Sequence, residues 1–216
     1  MTSIKKKTMK NKKNLLILLA IIFSHLSVFA QGENKSKLSI IGYGGIGYGI
    51  VENDSEPNYN LNSNSGELLI NYNLSEKFGI ATGIGLNQLT GNGFNTLGEF
   101  HHERSFIKIP LLFTLNGKIS DKIEFFSNVG FYTQNIIKDK YRYLFSTREN
   151  TFEGWNFGGQ IGIGVLFNFV DKMKFGFAFN GQSDFSKFNS NNSSGVTDKQ
   201  KMKNLNTIGL ILKFNL

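Results

Sequence analysis

The stretch WNFGGQIGIGVLFNFVDKMKFGFAFNGQSDF, residues 155–185, decides the fold. In its first half Trp155, Phe157, Ile161, Ile163, Val165, Phe167 and Phe169 share one parity. Asn156, Gly158, Gln160, Gly162, Gly164 and Asn168 share the other. The second half repeats the scheme, with Met173, Phe175, Phe177 and Phe179 against Lys174, Gly176, Ala178, Asn180 and Gln182. Such alternation makes two strands, each with one apolar and one polar face, joined by a short turn near Val170 to Lys172. The apolar face carries large aromatics, and the polar face is mostly glycine and amide. A soluble sandwich needs a second sheet to cover that many phenylalanines. A membrane barrel covers them with lipid and turns the small polar face to its lumen.

The N-terminus reads as a leader. Lys5, Lys6, Lys7, Lys10, Lys12 and Lys13 precede an apolar stretch, Leu15 to Phe23, and Val28-Phe29-Ala30 ends it with residues that signal peptidase accepts. Residues 1–30 are therefore predicted to be a cleaved signal peptide, cut between Ala30 and Gln31. The apolar stretch is short of the roughly 20 residues of a spanning helix. No cysteine follows the cut, which excludes a lipoprotein. Without those six lysines the remaining chain has 18 basic and 16 acidic residues, a net charge of +2 against +8 for the whole. The basic balance thus belongs to targeting, and it gives no support to a nucleic-acid partner. Residues 31–216 carry no linker or change of periodicity and are predicted to form one domain.

Eight strand-like runs follow in order: 38–51, 66–74, 78–89, 104–115, 122–134, the two of the opening hairpin, and 204–216. Polar stretches at 52–65, 90–103, 135–153 and 186–203 alternate with short turns. Long connections at one end and short ones at the other are the mark of a transmembrane barrel. The expected fold is all-β, a transmembrane eight-stranded antiparallel up-and-down β-barrel with periplasmic termini and four long external loops. Strands of about 10 to 13 residues suit a tilted crossing. Pro110 interrupts the fourth run, and because proline donates no ladder bond, a bulge or an unpaired carbonyl is expected there.

Three segments, FIKIPLLFTL at 106–115, WNFGGQIGIGVLF at 155–167 and TIGLILKFNL at 207–216, resemble the PorT-like outer-membrane β-barrel family over about residues 36–216. The Ile-Pro-Leu-Leu element is the most specific of them. The resemblance implies an eight-stranded barrel in a Gram-negative outer membrane, and the family's namesake is associated with a protein secretion apparatus. It implies no catalytic residues, and none are carried over.

Enzymatic barrels of this architecture place His, Ser and carboxylates at the external rim, and His101, His102, Glu103 and Ser105 are the one group here with that composition. Adjacent strand residues point to opposite faces, so His101 and His102 cannot serve one site. A zinc site finds no cysteine and no repeated ligand spacing. Glu52, Asn53, Asp54 and Glu56 lack the ordered spacing of a calcium loop. The run Gly42-Tyr43-Gly44-Gly45-Ile46-Gly47 continues as strand, without the helix a phosphate loop requires. No catalytic, metal or cofactor-binding residue is assigned, and no cofactor is expected.

By alternation Glu67, Lys108, Glu124, Lys174 and Lys213 point inward, where opposite charges are expected to pair as a plug. Tyr48, Tyr72, Phe78, Trp155, Phe185 and Phe214 suit interfacial girdles. The sequence predicts a non-enzymatic outer-membrane protein surrounded by lipid, binding through external loops or acting with envelope or secretion-apparatus proteins. The alternatives are a small pore and a rim hydrolase or lipid-modifying enzyme.

Overall fold

The computed structural model describes residues 37–170, 172–191 and 198–216. The predicted leader, residues 1–30, lies outside the described residues, as does Asp171 in the turn of the central hairpin. Eight long strands are β1 (Leu38–Asn53), β2 (Tyr59–Asn73), β3 (Phe78–Asn95), β4 (Gly98–Lys118), β5 (Ile123–Tyr143), β8 (Trp155–Val170), β9 (Met173–Asp184) and β11 (Lys199–Asn215). Three short ones, β6 (Thr147–Glu149), β7 (Phe152–Glu153) and β10 (Phe188–Ser190), lie between them.

Each long strand pairs antiparallel with the next, and β1 pairs with β11 from Ser39↔Asn215 to Asn53↔Gln200, which closes the ring. Closure leaves these eight strands without a free edge, the requirement for crossing a bilayer with strands. The alternation sets the faces as expected. Ile109, Leu111, Phe113, Val129, Phe131, Ile161, Ile163, Ile208, Leu210 and Leu212 stand outward in one apolar band. Tyr72, Phe78 and Phe214 are outward near the short turns, and Tyr48, Trp155 and Phe185 near the opposite limit of the band.

The strands are longer than the sequence predicts. β4 and β5 each run 21 residues, about 70 Å of chain and roughly 50 Å of height at a 45° tilt, against a hydrocarbon core of about 30 Å. The excess lies at one end. Outward positions beyond Ile107 turn polar, with Gln88, Thr90, His101, Glu103, Ser105, Lys138, Lys140 and Arg142. This loop end stands above the apolar band. The polar stretches 52–65, 90–103 and 135–153 expected as long loops are therefore mostly strand, as are the described residues of 186–203. Residues 90–103 form a tight hairpin with only Thr96 and Leu97 outside the ladder. Their side chains are polar because they face water, and their backbones still pair.

Pro110 also corrects the expectation. The β4 ladder to β5 runs through Pro110↔Tyr132 unshifted, while the β3 pairing skips from Thr82↔Leu111 to Gly85↔Lys108 in one register. The Pro110 carbonyl accepts from Thr82 Oγ1 at 2.7 Å. A side-chain hydroxyl takes the place of a ladder partner, and neither a bulge nor an orphaned carbonyl results. Bulges occur elsewhere. One sits in β5, where Ser105↔Lys138 is followed by Phe106↔Ile136, so Ile137 is the extra residue. A second falls in β11, where pairing steps from Tyr48↔Asn206 to Ile50↔Lys203 beside Asn204, whose φ is +51°. A third register shift, from Asn168↔Lys174 to Val170↔Met173, lies beside the short turn of the central hairpin.

Candidate functional site

The inward residues form layers along the barrel axis. Nearest the turns, Asn71, Thr114, Glu124, Lys174 and Lys213 make a polar rim, in which Lys174 pairs with Glu124 and Lys213 Nζ donates to Asn116 Oδ1 at 2.8 Å. Next comes an apolar layer of Ile41, Leu69, Ala81, Leu112, Phe126, Leu166, Ala178 and Ile211. The sequence reading missed it, because in Leu111-Leu112, Phe125-Phe126 and Val165-Leu166 both faces are apolar and the alternation is hidden.

The midpoint is polar. Lys108 forms a buried ion pair with Glu67, and Gln160 joins both, accepting from Lys108 Nζ at 2.8 Å and donating to Glu67 Oε2 at 3.2 Å. Gly85 makes room for the pair, since a Cβ there would stand 2.9 Å from Lys108 Cε and 3.3 Å from Glu67 Cγ. A step above, Asp184 gathers Tyr132 OH at 2.7 Å, Gln134 Nε2 at 2.9 Å, Asn156 Nδ2 at 2.9 Å and the Met202 amide at 2.7 Å. The expected pairing of inward charges is thus met for Lys108 and Lys174.

Above the apolar band lies a network absent from the sequence reading. Arg104 donates from Nε to Asp139 Oδ1 at 2.7 Å and from an Nη to Gln200 Oε1 at 2.7 Å and Tyr141 OH at 3.2 Å. Its guanidinium also stands over the Phe152 ring, 5.3 Å from the centroid. Asp139 Oδ2 accepts the Phe152 amide at 3.0 Å. His102 Nε2 lies 2.8 Å from Asp139 Oδ1, and its Nδ1 lies 2.9 Å from Tyr59 OH. A carboxylate only accepts, so Nε2 carries the proton and Nδ1 receives the Tyr59 hydroxyl hydrogen. His102 also stacks on Tyr141 with centroids 4.0 Å apart.

The two bulges build this cluster. Below Ile137 the even positions of β5 face inward, and above it Asp139 and Tyr141 do; the β11 bulge aims Gln200 and Met202 inward in the same way. An extra residue re-aims every side chain beyond it. Burial, followed by the positive charge of Arg104, holds the His102 imidazole neutral, with its pKa lowered to about 4. Burial alone would raise Asp139, but Arg104 and the His102 hydrogen bond outweigh it and hold that carboxyl at about 2. Burial pushes the Tyr59 and Tyr141 phenols up.

Of the rim residues singled out by sequence, His102 turns inward and is fully buried, while His101, Glu103 and Ser105 share the outward face, with His101 Nε2 3.8 Å from Glu103 Oε1. His101 faces outward, bonded to Asn92 Oδ1 at 2.8 Å and Thr90 Oγ1 at 3.0 Å. Glu103 accepts from Lys138 at 2.7 Å and pairs with Arg142. Ser105 lies on the outward face, away from His102. The His102–Asp139 pair has the form of a general-base dyad, yet both ring nitrogens are engaged and no serine among the described residues bonds to them. Glu52 is held by Lys201 at 2.9 Å and Lys203 at 3.0 Å, Asp54 pairs with Lys187, and Glu56 accepts from Thr96. No group of three His, Cys, Asp or Glu side chains fit to hold a metal occurs among the described residues.

Over the network opens a cavity of about 290 Å³. Tyr59, Phe94, Phe100, Tyr141, Tyr143 and Phe152 supply aromatic wall, and Asn53, Asn95, Arg148, Thr151, Asp198 and Gln200 supply polar wall. β7 and β10 fold over the lumen beneath it, burying Phe152 and Phe188, and Phe188 stacks on Phe106 at 5.5 Å.

The family model for the outer membrane protein beta-barrel domain matches residues 29–191. Among curated proteins none matches this chain in sequence. Similar solved structures include Neisserial surface protein A, at 6% identity and a TM-score of 0.53 over 85% of this chain and 100% of that one. The outer membrane protein OprG from Pseudomonas aeruginosa is another, at 14% identity and a TM-score of 0.50 over 85% and 99%. At such identities the likeness is one of fold, and it agrees with the closed ring of eight strands. Matched over most of its length, the chain belongs to the outer membrane protein beta-barrel domain family and is a protein of the outer membrane.

Proposed function

We propose that this barrel is a non-catalytic binding protein of PorT-like type, which presents its loop end to the exterior and engages a ligand or an envelope partner there. The observation that carries the reading is the division of the molecule. The interior is filled by successive apolar and ion-paired layers, while the strands rise past the lipid band into an ordered mouth with a concave wall. Mouths of barrels are favoured places for ligand sites. In this reading the short turns face the periplasm, and residues 1–30 direct export and are removed after Ala30.

Crosslinking in intact outer membranes followed by pull-down tests the reading. Recovery of envelope or secretion components through crosslinks at the loop end is expected. Crosslinks confined to the turn end would overturn it. A small pore is the second reading, favoured by the polar midpoint, and it requires the Lys108–Glu67 pair and the apolar layer around Leu69, Leu112 and Leu166 to part. Planar-bilayer recording decides it: regular single-channel steps would establish conductance, and their absence is expected. A rim enzyme would draw on His101 with Glu103 on the outward face or on His102 within the lumen; unchanged lipid A and proteolysis profiles in a His101→Ala, His102→Ala double variant are expected.

A further inference from the structure

We propose that the cavity at the loop-end mouth binds a neutral saccharide of about one ring, held by Asp198 and Thr151 against the aromatic wall. This deepens the binding reading above and rests on it. Two polar side chains in the wall, Asp198 at 7% exposure and Thr151 at 3%, each carry a buried oxygen without a hydrogen-bond partner among the described residues. Buried polar atoms are normally partnered, and each left alone costs on the order of 1–3 kcal/mol. The amides nearby are already engaged: Gln200 bonds Arg104 and Asn53, Asn53 also bonds Pro57 O, and Asn95 bonds Tyr143 OH. The unmet demand in the wall therefore falls on Asp198 Oδ2 and Thr151 Oγ1.

The chemistry of those two atoms selects the ligand. Asp198 Oδ1 accepts three backbone amides, Asp54 at 3.0 Å, Ser55 at 3.1 Å and Lys199 at 2.8 Å. These dipoles offset much of the carboxylate charge, so Oδ2 needs a hydrogen-bond donor more than a counter-ion. Arg148 lines the same cavity and disfavours an organic cation. In the proposed complex one hydroxyl donates to Asp198 Oδ2, and a different hydroxyl both donates to and accepts from Thr151 Oγ1. The aliphatic face of the sugar ring lies on the aromatic wall. The volume, near the lower end of ligand pockets at about 300 Å³, limits the ligand to about one ring.

Saturation-transfer NMR on the full chain in detergent micelles tests this with methyl glycosides of glucose, galactose, mannose and N-acetylglucosamine, and with choline and inorganic phosphate as charged probes. At least one glycoside is expected to bind, and Asp198→Asn and Thr151→Val are each expected to weaken it about tenfold. Heat-modifiable gel mobility reports that both variants still fold. Absence of transfer to every glycoside overturns the proposal, as does binding that survives both substitutions. Choline or phosphate binding in place of the glycosides overturns the ligand class. If the glycosides fail while loop-end crosslinks still recover a partner, the saccharide site falls and the binding reading stands; if both fail, the binding reading falls too.

Discussion

Arg104 holds three acceptors on one buried guanidinium, and its charge governs the groups around it. The Arg104–Asp139 pair is desolvated on both sides, so removing one partner strands the other charge at a cost of about 3–5 kcal/mol. His102 adds a pH dependence whose sign follows from its depressed pKa. The folded ring takes a proton near pH 4 and the unfolded ring near 6.5, so the unfolded chain binds more protons between those values. The contribution is therefore complete above pH 6.5 and is lost as pH falls to 4, roughly 3 kcal/mol in all. Asp139, held at about 2, adds its loss only below the usual carboxylate range, so the two windows separate. Denaturant unfolding in micelles compares the parent with a His102→Gln variant that still donates to Asp139. The parent should lose roughly 3 kcal/mol relative to the variant as pH falls from 6.5 to 4, with the other titrating groups cancelling in the difference. A difference that does not change with pH would mean that His102 is not the titrating group.

At the scale of the element, the bulges decide what enters the lumen. Glu67 and Lys108 were legible because β2 and β4 alternate without a break, and parity read from Ile109 and Leu111 places them inward. Asp139, Tyr141 and Gln200 were not legible, since the extra residue at Ile137 and the step at Asn204 reverse the parity beyond them. Asp184 was within reach, because the alternation through Asn180 and Gln182 needs only one more repeat. Lys138 and Arg142 show the physical signal that locates the β5 bulge. Without it these two cations and Lys140 would face the lumen and Asp139 the outside, leaving Arg104 without a counter-charge. Deleting Ile137, unlike pairing it in the ladder, makes Lys138 follow Ile136 directly, so the ladder runs uninterrupted, Lys138 stays outward and Asp139 and Tyr141 stay inward. The expected outcome is a variant that keeps its apolar band, its heat-modifiable mobility and the hydrogen-exchange protection of the β4 and β5 amides above Phe106. Loss of that protection would show that the network needs the bend of the bulge and not its parity alone.

For the whole molecule, closure, strand number and the lipid-facing band were readable because they rest on period-two patterns repeated around the ring. The height was not. Polar residues on both faces of residues 90–103 look like loop in sequence, and they pair because a β-ribbon in water needs no lipid-facing apolar face. A barrel that extends past the bilayer on one side only has a polarity that can be measured. The chain contains no cysteine, so single cysteines report accessibility without background. Leu144 and Phe145, at the tip between β5 and β6, are 85% and 94% exposed and should label with a membrane-impermeant maleimide in intact cells when changed to Cys. Cysteine at Lys77 or Asp121, in the short turns, should label only after the outer membrane is permeabilised. Cysteine at Leu111 or Phe131, inside the apolar band, should resist the reagent under both conditions. The opposite pattern at the two ends would invert the barrel in the membrane. The mouth formed by Tyr59, Phe100 and Asp198 would then open to the periplasm, and the ligand would have to be sought there.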